Sequence, residues 1–273
     1  MAKRRRNTTR RVIERRRKEG RGLGTGKDYK PELRIQDVAS IGLATRILGW
    51  KTGRVHHFMS KLECLFFHVV DWSPRVIDIR EQFPLDRDET LAIAQQLGVR
   101  HPSDVKTKEP ITMTTDFVIT FGNALQNVEI ARTIKYQDKL SSLRVMEKFE
   151  IERIYWTSRG VNWGIVTRAD VPADFAANVQ WVHSHRDLRN LSPVTKEEVR
   201  AVEEYLASKL TSSPNTPLKS VTEDADHAFS LSAGTSLAIV RHLIANRRLE
   251  VDMNIPLRPE QPQRLTPKPA SLR

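Results

Sequence analysis

The hydrophobic spacing of this 273-residue chain changes character once, near Asp170, and that change limits the fold more than any compositional figure. Before it, segments with apolar residues at every second position alternate with segments spaced at three and four, the signatures of strand and helix respectively. SKLECLFFHVVDW, residues 60–72, puts Leu62, Leu65, Phe66 and Val69 on one helical face. Extended pieces are expected within 36–59, around the turn Lys51-Thr52-Gly53, and at 76–83 and 112–120. NVEIARTIKY sets Val128, Ile130, Arg132 and Ile134 on one strand face and Glu129, Ala131, Thr133 and Lys135 on the other. A short helix at 91–97, a long one at 138–158 and a buried strand at 163–167 complete an interleaved α/β pattern over residues 31–169. After Pro172 the pattern is almost wholly helical. Thr195 and Glu198 form a capping box opening TKEEVRAVEEYLASKL, and Leu237, Val240, Leu243 and Ile244 form a later stripe. Three helices and an extended segment at 250–257 match the inventory of a winged-helix module over residues 170–257, which many small domains share.

Charge is distributed unevenly. The net charge is +12, and residues 1–30 carry thirteen Lys/Arg against Glu14, Glu19 and Asp28, so the rest of the chain contributes only +2. A concentrated basic segment neutralises phosphates and releases counterions, which makes nucleic acid the first partner to consider, ahead of acidic protein or anionic lipid. Residues 1–30 read as a basic flexible arm joined through GRGLGTGKDYKPEL, and the Pro-rich basic residues 258–273 as a disordered tail. Cys64 is the single cysteine, which rules out an intramolecular disulfide and a zinc cluster of thiols and suits a reducing cytoplasm. No apolar stretch follows MAKRRR, and no run approaches the ~18 residues that span a bilayer, so neither export nor a membrane is expected.

TMTTDFVIT, residues 112–120, is a strand with Asp116 in its middle. Strands are depleted in Asp, and a carboxylate held there is hydrogen-bonded, paired with a cation or turned toward water. Adjacent antiparallel strands would bring Asp116 and Lys135 to one end of a sheet. Such a pair serves metal-assisted phosphodiester hydrolysis, but it is also a plain structural salt bridge, and spacing alone favours the latter. Glu63, one turn into the first helix, can point at the same sheet end or close a capping box with Ser60.

KTGRVHHFMSKLE (51–63), VIDIREQFPL (76–85), the Asp116-Phe117 strand, the Ile134-Lys135 strand and EKFEIERIYW (147–156) occur in one order. Together with GKDYKP they closely resemble the TnsA family, the endonuclease subunits of heteromeric transposases in bacterial transposons of the transposon-seven type. The likeness is closest over residues 18–168. It implies a restriction-endonuclease-like core of the PD-(D/E)XK type, a mixed sheet flanked by helices, followed by a winged helix. It also implies that Glu63 and Asp116 bind magnesium, or manganese in its place, with the Ile134 carbonyl as a further ligand, and that Lys135 is catalytic. The implied partners are transposon-end DNA, a DDE transposase of the TnsB type and an AAA+ ATPase of the TnsC type in a bacterial cytoplasm. The implied reaction is cleavage of the non-transferred strand at the 5′ ends. Where the superfamily places Asp or Glu two residues before the lysine, this chain has Thr133, which weakens the case for a second metal. Glu129 is ~13 Å away along the strand; Glu147, Glu150 and Glu152 on the next helix could reach inward, or pair with Lys148 and Arg153 at the surface.

His56-His57 could touch phosphate or be structural, and His183-Ser184-His185 lacks a matching metal cluster. GLGTG has no preceding strand, so ATP use is not expected. The rival readings are a non-catalytic DNA-binding adaptor, with Glu63, Asp116 and Lys135 as a salt-bridge cluster, and an RNA-binding scaffold.

Overall fold

The computed structural model describes residues 7–37, 44–122, 126–187 and 194–267. The chain forms two units, Met1–Val171 and Pro172–Arg273. No helix among the described residues is long and apolar enough to cross a membrane.

In the first unit, α1 (Arg10–Lys18) is capped by the Thr9 hydroxyl, which accepts from the Val12 amide. The segment expected to be a flexible arm and linker is folded where it is described. Arg16 pairs with Glu32 at 3.0 Å and Arg21 with Asp37 at 2.5 Å, and the Arg21 guanidinium also donates to the Glu32 carbonyl at 2.6 Å. The glycines read as a flexible connection instead make tight turns. Gly22 and Gly24 have φ of +81° and +87°, and a Cβ at Gly24 would lie 2.6 Å from the Asp28 carbonyl oxygen. Tyr29 is buried, and its hydroxyl donates to the Glu81 carbonyl at 3.1 Å.

A hairpin of β1 (Thr45–Leu48) and β2 (Val55–Phe58) leads into α2 (Lys61–Trp72). After it come β3 (Val76–Pro84), α3 (Arg87–Gln96), β4 (Thr114–Gly122), β5 (Asn127–Ile134), α4 (Leu143–Thr157) and β6 (Asn162–Val166). The sheet order is β3-β4-β5-β6, with β5 and β6 parallel and the other pairs antiparallel, so it is mixed as the sequence suggests. One face packs Phe117 against Phe58 of β2 and Phe66 of α2. The other carries Val118 and Ala131 into a core with Ile93, Ile151, Tyr155 and Trp156 from α3 and α4. The alternation in β5 is as expected, but the apolar-looking face is the wetter one at its start: Val128 is half exposed, while Ala131 and Thr133 are buried under α4.

Between the β1–β2 hairpin and β3 lies a buried ionic knot. Arg54 donates to Glu81 Oε1 at 2.8 Å, to the Ile79 carbonyl at 2.8 Å and to the Gly26 carbonyl at 3.1 Å, while His56 Nδ1 meets Glu81 Oε2 at 2.7 Å. Burial works against the Glu81 charge, but His56 and the Arg54 guanidinium outweigh it and hold the carboxyl at about 2.

Among its described residues the second unit has four α-helices: α5 (Ala173–His183), α6 (Lys196–Ser212), α7 (Leu218–Ala228) and α8 (Thr235–Ala245). The last three pack on one another and bury Leu206, Val221, Ala225, Ile239 and Leu243. Asp226 caps α8 by accepting from the Gly234 and Ser236 amides, each at 2.7 Å. The extended stretch expected at 250–257 shrinks to β7 (Leu249–Glu250), beyond which the chain is held by Asn178, whose amide donates to the Met253 and Ile255 carbonyls at 2.9 and 2.7 Å. Residues 258–267 are ordered, contrary to the expected disorder: β8 (Thr266–Pro267) pairs with β7, and Leu265 finds a buried place. The remaining tail residues lie outside those described.

Candidate active site

The three residues singled out in the sequence arrive from three elements. Asp116 lies near the start of β4 and Ile134 at the end of β5; since these strands are antiparallel, the two meet at one end of the sheet. There the strands part. The last backbone pair is Phe117 with Arg132, and the Asp116 side chain fills the gap, Oδ2 accepting from the Ile134 amide at 2.7 Å. Lys135 follows, its amide bonded to the Val166 carbonyl at 2.9 Å, so the lysine is still fixed to the sheet.

Side-chain alternation also breaks at Asp116. Thr115 and Val118 both face α4, Thr115 through Trp156 Nε1 at 2.7 Å, whereas Phe117 faces α2. In an extended chain the neighbour of Thr115 points the opposite way, so Asp116 is turned toward the α2 side instead of into the α4 core.

Glu63 sits in the first turn of α2, where the unpaired helix amides favour a carboxylate. Ser60 caps the helix by accepting from the Glu63 amide at 3.1 Å. The carboxyl itself accepts from the Ser60 hydroxyl at 2.8 Å and from the Met59 amide at 2.9 Å, not from the Ser60 amide of a standard capping box. The two roles weighed for Glu63 are therefore compatible. The residue is 8% exposed. Burial and then the neighbouring Asp116 charge push its carboxyl up to about 8, against the pull of the Met59 and Ser60 hydrogen bonds and the Lys135 charge. Asp116 is raised too, by burial, with the Ile134 amide, the Gln82 amide and Lys135 opposing.

Two desolvated carboxylates near a single ammonium form a site with an unmet demand for positive charge. Among the described residues no group of three or more His, Cys, Asp or Glu side chains gathers as a metal site. Magnesium is ordinarily held by one or two carboxylates, with water completing its shell, so the donor set fits that ion better than zinc or calcium. Glu63 and Asp116 would hold it, each oxygen keeping a lone pair beyond its present hydrogen bond, and the Ile134 carbonyl leaves the strand on the same edge as the amide that binds Asp116.

Of the reserve acids, only Glu152 turns inward. It is 3% exposed and accepts from the Thr115 hydroxyl at 2.6 Å and from the Thr133 hydroxyl, while Trp163 Nε1 donates to Thr133 at 3.2 Å. Burial pushes Glu152 up to about 7, with the hydroxyl bonds of Thr115 and Thr133 opposing. The Thr133 hydroxyl proton is thus committed to Glu152. Glu147 pairs with Arg144 at 2.7 Å, Glu150 with Arg153 at 2.6 Å, and Glu129 with Arg80 at the far end of the sheet. His56 is fully buried in the Glu81 knot, out of reach of phosphate. His183 is buried, and among the described residues no group of three or more His, Cys, Asp or Glu gathers at it or at His185. Sequence reading missed Gln82, which donates to Asp116 Oδ1 at 3.1 Å; a polar residue amid the alternation of VIDIREQFP was its only signal.

Comparison with known proteins adds an independent line. The family described as TnsA-like endonuclease N terminal matches residues 73–168, and that described as TnsA endonuclease C terminal matches residues 170–253. The first stretch holds Asp116 and Lys135, and Glu63 precedes it. A curated relative, the Transposon Tn7 transposition protein TnsA of Escherichia coli, is 36% identical over 234 residues, spanning 86% of this chain and 83% of the relative. A likeness of that depth over both units leaves one assignment: this chain belongs to the TnsA endonuclease family of transposition proteins.

Proposed function

We propose that the chain is a magnesium-dependent DNA endonuclease, with manganese able to substitute, that cuts the non-transferred strand at the 5′ ends of a transposon. The observation that carries this reading is the meeting of two charge-frustrated carboxylates, Glu63 and Asp116, with Lys135 where β4 and β5 part. We read that split-strand arrangement as the PD-(D/E)XK form of a restriction-endonuclease-like core. When bound, such an ion would supply Lewis acidity toward the scissile phosphate and the attacking water. Glu63, fixed by the Met59 amide and the Ser60 hydroxyl, and Asp116, fixed by the Ile134 amide, hold that position without reorganising. The Lys135 ammonium orients the attacking water and offsets the negative charge that builds on the phosphate. Water oxygen bonds to phosphorus, the P–O3′ bond breaks and a proton passes to the leaving oxygen, giving a 3′-hydroxyl and a 5′-phosphate.

Strand and end choice would come from partners: a DDE transposase of the TnsB kind that processes the 3′ ends, and an AAA+ ATPase of the TnsC kind. The basic face of α1 would add affinity for phosphate without sequence preference. The second unit, with α6 to α8 and the β7–β8 ribbon, would act as a winged-helix module, and the chain would work in the bacterial cytoplasm, where transposon DNA lies. Strand-resolved mapping on end-containing DNA, with magnesium and both partners, tests the reading. Cuts confined to the non-transferred strand and lost in Asp116→Ala are expected; equal nicking by wild type and Asp116→Ala would overturn the catalytic assignment.

A further inference from the structure

β3 and β4 pair residue by residue from Asp78–Thr120 to Glu81–Phe117 and again at Phe83–Thr115 and Pro84–Thr114, but Gln82 and Asp116 drop out of the ladder between them. Both strands change phase at this step. Glu81 and Phe117 face the α2 side, Glu81 through His56 and Phe117 through Phe66; Phe83 and Thr115 face α4, both against Trp156. Gln82 makes the change possible with φ of +48°, a left-handed conformation that few side-chain-bearing residues adopt. Its carbonyl, turned out of the ladder, accepts from the Glu32 amide at 3.1 Å.

The side chain explains what this conformation achieves. Gln82 is 4% exposed. The Thr114 hydroxyl donates to Gln82 Oε1 at 3.1 Å, which fixes which end of the amide faces the site, and Nε2 then donates to Asp116 Oδ1 at 3.1 Å. Asp116 is consequently gripped at both oxygens, by Gln82 on one and by the Ile134 amide on the other. Its carboxyl plane cannot turn without breaking both bonds, so the lone pairs left for a ligand point in one fixed direction.

We infer that Gln82 is a positioning residue of the cleavage site, holding the Asp116 carboxylate in the rotation that receives the divalent ion. This rests on the reading of Glu63, Asp116 and Lys135 as a magnesium site, and it adds a residue outside that set. Partners that orient a ligating group commonly change metal affinity by 10–100-fold when removed.

Gln82→Gly is the informative variant, because glycine takes a positive φ freely, so the backbone conformation is kept while the side chain with its amide is removed. Thr114→Val removes the hydroxyl that orients the amide and leaves the glutamine. The full-length variants are titrated with magnesium by calorimetry and in the cleavage reaction with partners present. For Gln82→Gly, half-saturation in both assays moves about tenfold higher, and saturating magnesium restores most of the cleavage rate. Thr114→Val shifts the same way by less. A Gln82→Gly protein that titrates like wild type, while Asp116→Ala loses its magnesium response, overturns the role of Gln82 and leaves the site intact. An Asp116→Ala protein with a full magnesium response overturns the site itself, and the inference with it.

Discussion

The Ile134 amide donates to Asp116 Oδ2 at 2.7 Å, in the place where a carbonyl of β4 would otherwise continue the ladder. A side chain thereby stands in for backbone. The sheet is left open at one end, and the carboxylate in the opening is partly buried and lies beside the negative charge of Glu63. The site's chemistry follows from this substitution.

The first consequence is a pH dependence of stability without metal. Glu63 is raised from an ordinary 4.5 to about 8, so between those values the folded protein binds a proton that the unfolded chain has released. Stability therefore falls as pH rises from about 5 to 8. Asp116 and Glu152, both raised by burial, act in the same direction. Thermal melts in a chelator should show Tm decreasing across that window, and Glu63→Gln should flatten the slope and melt higher than wild type at pH 8. Excess magnesium, which favours the charged form, should weaken the slope in wild type alone.

On the proposed reading, Lys135 would separate chemistry from metal binding. Lys135→Ala should lower the cleavage rate by about three orders of magnitude, the effect of ~4 kcal/mol of lost charge stabilisation, while calorimetric magnesium affinity does not fall. Asp116→Ala should lose both.

Glu81 should matter for stability and not for the chemical step. Removing it leaves the Arg54 guanidinium buried without its partner, so Glu81→Ala should destabilise the first unit by about 3–5 kcal/mol in urea titrations. Because its folded value lies near 2, below the usual carboxylate range, the stabilisation is present above about 4.5 and fades as pH falls toward 2.

The basic helix makes a prediction about salt. Arg16 is occupied with Glu32, whereas Arg11, Arg17 and Lys18 are exposed. Replacing those three by Ala should weaken DNA binding evenly across sequences and reduce the slope of log affinity against log salt by about one per lost phosphate contact. Arg16→Ala should instead lower Tm.

Sequence alone carried the order from α2 through β6 in the first unit, because its strand-forming runs and the apolar face of α2 alternate along the chain. The meeting of Asp116 with the end of β5 was legible as well, since it needs only two antiparallel strands in register. Three features were not. The folding of the basic segment depends on pairs such as Arg21 with Asp37, whose partners look like ordinary solvated charges in a linear reading. Glu152 was one of three candidate acids, and only the packing of α4 on the sheet decides that it turns toward Thr133 while Glu147 and Glu150 stay outside. The phase change at Gln82 is a backbone property with no periodic signal, and it decides which side of the sheet Asp116 faces.

The claim that Glu63, Asp116 and Lys135 meet around one divalent ion is tested most directly by anomalous diffraction from crystals of the full chain soaked in manganese. The account predicts a single strong peak within about 2–2.5 Å of carboxylate oxygens from both Glu63 and Asp116, beside the Ile134 carbonyl. A manganese ion bound elsewhere, or these two carboxylates left without one at saturating manganese, would contradict it.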